Sequence, residues 1–321
     1  MKKRFKKVLA AGAAMAVFMT GGFTCFAEET EAVTEAAEAA EEVTEAATEA
    51  VEETTEAAGN QAILVVSFGT SYDDSRDITI GAIEEAVAAA FPEYEVRRAF
   101  TSQIIIDKLA DEEGLEIDNV TEALDRAIED GITTLVIQPT HLMDGLEYND
   151  VVNEVAEYAD SFEKVVMGEP LLTSDEDYAA VISAITEATS EYDDGETAVC
   201  FMGHGTEAES NQVYATLQDK LTEAGYENYY VGTVEAEPTL EDVLAAVGEG
   251  EYTKVVLAPL MVVAGDHANN DMAGDEEGSW KTEFEAAGYE VECLIQGLGQ
   301  LEAIQDIYVA HTQAAIDTLA E

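Results

Sequence analysis

From residue 59 to residue 321, apolar runs of strand length alternate with amphipathic stretches of helical period, and part of the pattern occurs twice. The segment Leu135-Val-Ile-Gln-Pro-Thr-His-Leu-Met-Asp-Gly-Leu-Glu-Tyr-Asn149 aligns without gaps on Val255-Val-Leu-Ala-Pro-Leu-Met-Val-Val-Ala-Gly-Asp-His-Ala-Asn269. Pro139 and Pro259, Gly145 and Gly265, and Asn149 and Asn269 are each 120 residues apart. A second pair, Ser67-Phe-Gly-Thr70 and Gly203-His-Gly-Thr206, separates Gly69 from Gly205 by 136, so the first copy carries an insertion. Strands joined through helices pair in parallel, and a parallel sheet needs helices on both faces. The expected fold is therefore α/β, with two similar lobes, each a parallel sheet flanked by helices, and a cleft between them. Tyr192-Asp-Asp-Gly195 reads as a turn and sets the lobes at 59–194 and 195–321.

The clearest strands are Ala62 to Phe68, Glu95 to Phe100, Thr133 to Pro139, Lys164 to Met167, Thr197 to Met202, Tyr229 to Val234, Lys254 to Val263 and Glu290 to Leu294. Helices are expected at Ile78 to Ala90, Asn119 to Asp130, Val151 to Ala159, Tyr178 to Thr189, Gln212 to Ala224, Leu240 to Val247, Lys281 to Ala287 and Leu301 to Leu319.

Ahead of the lobes the composition changes twice. Residues 1–27 hold five of the chain's 14 basic residues, then an apolar run from Val8 to about Phe23 and a small residue before Glu28. This order reads as a signal peptide cleaved near Ala27, which would place the mature chain outside the cytoplasm, secreted or associated with the cell surface. Retention as a membrane anchor is the alternative, because the run is just long enough to span a bilayer. Cys25 lacks the preceding Leu and small residues of a lipoprotein cleavage site. Residues 28–58 are almost only Glu, Ala, Thr and Val, with 12 Glu and no basic residue, and read as a solvated acidic low-complexity linker. The whole chain carries 69 acidic against 14 basic residues, a formal charge of -55, which excludes nucleic acid as a partner.

The two copies differ at their strand ends. The first has Phe68 and Glu147 where the second has His204 and His267, in a chain with four histidines. Ligands of parallel α/β sheets bind beyond the carboxyl ends of the strands. His204, Glu235 and His267 each follow such an end, so all three can project into one crevice. Two imidazoles and a carboxylate suit a divalent first-row cation, and three protein ligands leave coordination open for exchange. Plainer roles compete: a loop histidine hydrogen-bonded between glycines for His204, one surface carboxylate among many for Glu235. Asp266 would cap the turn or orient the imidazole beside it. His141 aligns with Met261 and is a weaker cleft candidate, His311 reads as a surface or packing residue, and Cys200 and Cys293 as buried thiols. Neither GxGxxG nor GxxxxGK[ST] occurs, so no nucleotide cofactor is expected, and no iron–sulfur cluster.

Val65-Val-Ser-Phe-Gly-Thr-Ser71, Arg98-Ala-Phe-Thr-Ser102, Phe201-Met-Gly-His-Gly-Thr206 and Ala258-Pro-Leu-Met-Val-Val-Ala-Gly-Asp-His-Ala-Asn-Asn-Asp-Met272 resemble the anaerobic sirohydrochlorin cobaltochelatases, class II tetrapyrrole chelatases. The likeness covers the whole body and includes Ser279-Trp-Lys281 and Gly297-Leu-Gly299. It implies a chelatase-like fold holding a tetrapyrrole between its lobes, with sirohydrochlorin and Co2+ as substrates. It also implies that His204 serves as base and metal ligand, joined by Glu235 and His267. Metal insertion releases two pyrrole protons, so an unprotonated histidine beside the ring has a task. Arg98, in the matching stretch, could pair with a sirohydrochlorin carboxylate, and Gly69, Thr70, Ser71, Gly205 and Thr206 allow close backbone approach to a flat ligand. Two other functions fit the same residues: a tetrapyrrole- or metal-binding delivery protein with little turnover, and insertion of iron or nickel. Assembly into a homo-oligomer is left open by the sequence.

Overall fold

A computed structural model of the chain describes residues 60–320; the signal peptide read at 1–27 and the linker at 28–58 lie outside the described residues. The first half runs β1 (Gln61–Ser67), α1 (Asp73–Arg76), a π-helical turn (Asp77–Gly81), α2 (Ala82–Ala90), β2 (Glu95–Phe100), α3 (Gln103–Glu113), α4 (Val120–Glu129), β3 (Thr134–Pro139), α5 (Leu146–Tyr158), β4 (Lys164–Met167) and α6 (Asp175–Ala188). The second runs β5 (Thr197–Gly203), α7 (Gln212–Glu223), β6 (Tyr229–Thr233), α8 (Leu240–Val247), β7 (Lys254–Pro259), a π-helical turn (Ala268–Met272), α9 (Trp280–Ala287), β8 (Glu290–Cys293) and α10 (Glu302–Thr318). Among the described residues no helix is long and apolar enough to cross a membrane.

The strands form two four-stranded sheets, in the orders β2-β1-β3-β4 and β6-β5-β7-β8, and every pairing is parallel. The expected fold class is thus what the chain adopts, and the sheets share one topology. In each sheet the chain steps from the first strand to a neighbour on one side and then to a neighbour on the other, which opens a crevice at the carboxyl ends.

Both faces of each sheet are covered, which is why the central strands read as unbroken apolar runs. Ile63 and Val65 face one way and Ala62, Leu64 and Val66 the other, all at most 1% exposed. The outward faces pack separately, around Leu124 in the first half and around Trp280 and Phe284 in the second. The inward faces share one core. Ile63 and Val136 of one sheet join Val199, Phe201 and Val231 of the other through a layer of α2, α6, α7 and α10. α10 follows β8 in sequence but packs on α2, α6, β3 and β4 of the first half.

Most strands lie within a residue of their expected bounds. β7 is shorter, ending at Pro259 instead of Val263. Beyond the proline, Leu260 N–H still reaches Met202 O at 2.8 Å, and the chain then turns out over the crevice. The first copy does the same after Pro139, where Thr140 N–H reaches Val66 O at 2.8 Å. The helix expected from Ile78 to Ala90 begins as the π turn and continues as α2, and the short α1 precedes it. α5 begins at Leu146, five residues before the expected Val151, with Gly145 at its N-cap. α3 has no counterpart in the sequence reading: Ile104-Ile105-Ile106 places apolar side chains on every side of the helix, which masks its period.

Candidate active site

β5 is the middle strand of its trio, and its neighbours bring the other two residues to it. The parallel ladder continues past the strand ends, where Val234 N–H donates to Gly203 O (3.0 Å) and Glu235 N–H to His204 O (2.9 Å). Glu235 is thereby fixed beside His204. On the other side, the chain beyond β7 turns at Gly265 and places His267 ahead of the π turn. The His204 and His267 rings meet edge to face, with centroids 4.7 Å apart. One ligand atom from each of His204, Glu235 and His267 lies within 4.8 Å of the other two. Tetrahedral ligands at 2.0–2.1 Å from an ion are roughly 3.3 Å apart, so a bound ion would have to draw these side chains together. The trio is open and partly exposed, as suits an ion that must be passed on.

The hydrogen bonds set the tautomers. His204 Nδ1 lies 2.8 Å from Gly205 O, and since a carbonyl only accepts, Nδ1 carries the proton. His267 Nδ1 lies 2.7 Å from Asp271 Oδ2 and donates to it for the same reason. Both Nε2 lone pairs are left for a metal or a proton. The carboxylate that orients His267 is therefore Asp271, at i+4 across the π turn, and of the two roles open to Asp266 the orienting one falls to Asp271. Asp266 Oδ1 instead accepts from Asn270 Nδ2 (2.8 Å) and from Tyr72 Oη (3.4 Å), the latter a bond between the two halves.

This trio lies on the wall of a cavity of about 550 Å3 whose other wall comes from the first half. Gly69, Thr70 and Ser71 after β1 face Gly205 and Thr206 after β5, as the repeat requires. Gly69 and Gly205 have φ of +98° and +87°, and a Cβ on either would collide, at 2.6 Å from Phe100 Cδ2 and at 2.9 Å from Thr233 and Ala236 N. Phe68 and Leu146 line the cavity with large exposed apolar side chains. Glu147, the counterpart of His267, also lines it; burial raises its pKa, while nearby His204 opposes the shift.

Arg98 does not reach the cavity. Its guanidinium holds the Glu84 carboxylate through Nε (2.7 Å) and Nη2 (2.5 Å) and lies over the Phe100 ring, so the ion pair consumes the group expected to meet substrate. The sequence signal was ambiguous, because Glu84 is 14 residues away and only the packing of α2 on β2 joins the two. His141, the weaker cleft candidate, does line the cavity. Neither of its ring nitrogens has a hydrogen-bond partner, and burial lowers its pKa to about 4. The two ring nitrogens of His311 lie 3.1 Å from Glu169 O and 2.9 Å from Asp177 Oδ1, tying α10 to the start of α6. Cys200 is fully buried and Cys293 half-buried, and both are free thiols.

Two matching parallel sheets, facing across a cleft whose wall carries an open His–Glu–His trio, define a chelatase-type α/β protein. The fold is shared with SirB from Bacillus subtilis, solved with Fe3+, at a TM-score of 0.57 and 14% identity over 82% of this chain and 98% of that one. It is also shared with DR2241 from Deinococcus radiodurans, described as multi-domain with structural similarity to chelatases, at a TM-score of 0.53 and 14% identity over 82% of this chain and 60% of that one. Residues 61–317 match the family model for cobalt chelatase (CbiK). The sirohydrochlorin cobaltochelatase of Salmonella typhimurium is 38% identical over 261 residues, 81% of this chain and 98% of that protein. The sirohydrochlorin cobaltochelatase CbiKC of Nitratidesulfovibrio vulgaris is 31% identical over 261 residues, 81% of this chain and 92% of that protein. The chain belongs to the CbiK cobalt chelatase family, and the resemblance read from its strand-end motifs holds.

Proposed function

We propose that the chain is a sirohydrochlorin cobaltochelatase working outside the cytoplasm, with His204 as the base. The observation that carries this reading is the meeting of His204, Glu235 and His267, within 4.8 Å, on the wall of a cavity large enough to admit a flat ligand. Insertion of Co2+ into the free-base ring releases two pyrrole protons. His204, protonated on Nδ1 toward Gly205 O, ligates through Nε2 until the ring nitrogens take the ion and then accepts one of the protons there, while the other leaves to solvent through the open cavity. Glu235 and His267 hold the ion beside the ring, and Asp271 keeps His267 in the tautomer that ligates. Three ligands let the ion leave when the ring nitrogens take over its coordination, whereas a closed four-ligand site would retain it. Iron or nickel could pass through the same trio, because affinity order alone does not set metal choice.

Mixing the purified chain with sirohydrochlorin and Co2+, Fe2+ or Ni2+, and following the ring's absorbance, tests this reading. Insertion far above the spontaneous rate, abolished in His204→Ala, is the expected result. A second reading, capture and delivery of a tetrapyrrole or metal with little turnover, is favoured by the leader-like residues 1–27, since an exported enzyme needs its substrate outside the cell. A stoichiometric spectral shift without turnover would select it. Cleavage near Ala27 is checked by the N-terminal residue of the exported protein.

A further inference from the structure

A polycarboxylate substrate has to enter a cavity whose charged lining, among the described residues, includes Glu147, Glu207, Glu235 and Asp266 but no lysine or arginine. With Arg98 bound to Glu84, the cation that meets the substrate has to come from elsewhere. Of the nine basic residues in the described chain, seven are engaged by carboxylates, as Lys220 is by Asp175 at 2.8 Å. Lys164 contacts a backbone carbonyl, that of Leu319. Lys108 is the remaining one, and its Nζ donates to Ser71 Oγ at 3.1 Å.

Ser71 belongs to the cavity wall, and so does Ile105, one turn ahead of Lys108 on the same face of α3. Lys108 is exposed, so its ammonium stands at the rim with two of its three donors unused and, among the described residues, no carboxylate to satisfy them. On a chain this acidic, an ammonium left without a carboxylate partner is unusual, and this one lies at the cavity mouth.

We propose that Lys108 captures a carboxylate of the incoming tetrapyrrole at the mouth of the cavity and so sets the affinity for polycarboxylate rings. The assignment rests on the chelatase reading above. Ser71 holds the ammonium in place in the free protein, and its hydroxyl can turn to donate to the same carboxylate once the ring arrives. The contact forms on entry and persists through insertion, so it contributes to substrate binding and not to the chemical step.

The test measures binding of metal-free sirohydrochlorin to the full chain by the ring's absorbance, together with kcat and KM for Co2+ insertion. Lys108→Ala should weaken binding and raise KM by about five- to tenfold, the range of an exposed charge-assisted hydrogen bond, with kcat unchanged. Lys108→Glu should weaken binding further, and Lys108→Arg should stay within about twofold of the native protein. Lys220→Ala removes the same charge from a paired site on α7 and should likewise stay within about twofold, which separates a local contact from the overall field. Co2+ affinity should be the same in all four. If Lys108→Ala binds sirohydrochlorin as Lys220→Ala does, the assignment of Lys108 is wrong while the chelatase reading stands. If the native chain fails to bind sirohydrochlorin at all, the reading and the assignment fall together.

Discussion

His141 lies half-buried on the cavity wall with both ring nitrogens buried and without a partner among the described residues, an arrangement that costs about 1–3 kcal/mol in the ligand-free protein. The repeat suggests the repair, because the matching residue of the second copy is Met261. His141→Met should raise stability by about 1 kcal/mol at pH 7, read from the urea midpoint. Its pH profile should also change. With a pKa of about 4 in the folded chain and 6.5 unfolded, the unfolded state takes up a proton in that interval that the folded state refuses. The native protein therefore loses up to about 3 kcal/mol from this group as pH falls from 6.5 to 4, and His141→Met should not. An identical pH profile for the two proteins would refute that account. Residues were legible in the sequence where topology alone positions them: His204, Glu235 and His267 follow parallel strand ends and had to share one edge. The partners of Arg98 and His267 were not legible there, because they depend on how the chain packs and turns. Glu84 comes from a helix laid over β2, and Asp271 reaches His267 across one helical turn, at i+4, where no helix was expected.

At the scale of elements, burial on both faces made the central strands plain, and Pro139 and Pro259 end the equivalent strands β3 and β7. What the local pattern hid was α3, whose three consecutive isoleucines suppress the helical period and which carries Lys108. It also hid the destination of α10. That helix is amphipathic in sequence, but its apolar side fits a groove of the first half that no local rule identifies. Tyr308 shows what the crossing is worth. Its ring is fully buried and its hydroxyl donates to Thr140 O at 3.0 Å, joining α10 to the loop that bears His141. Tyr308→Phe should cost about 1 kcal/mol and lower Tm by about 2–4 °C, because a buried carbonyl loses its donor while the packing survives. A scanning calorimetry trace that matches the native protein would show that the Tyr308 hydroxyl adds nothing to the packing of α10.

For the whole molecule the dominant quantity is charge. Between residues 59 and 321 there are 57 acidic and 9 basic residues, so the lobes themselves repel a polycarboxylate while gathering divalent cations. Raising ionic strength from about 10 mM to 0.15 M shortens the screening length from about 30 Å to about 8 Å and should tighten sirohydrochlorin binding. The gain should be steeper in Lys108→Ala, which lacks the one local attraction that salt weakens. Weaker binding of the native protein at higher salt would mean that the local cation outweighs the field. The sequence by itself determined the periodicities, the repeat and the order of the strands. Those suffice for two parallel sheets and for the edge where ligands gather, because hydrophobic burial and parallel pairing act on every copy alike. Only the tertiary structure decided which charges remain unpaired. An ion pair depends on a few ångströms between residues distant in the chain: Arg98 meets Glu84 across 14 residues, while Lys108 meets only the hydroxyl of Ser71.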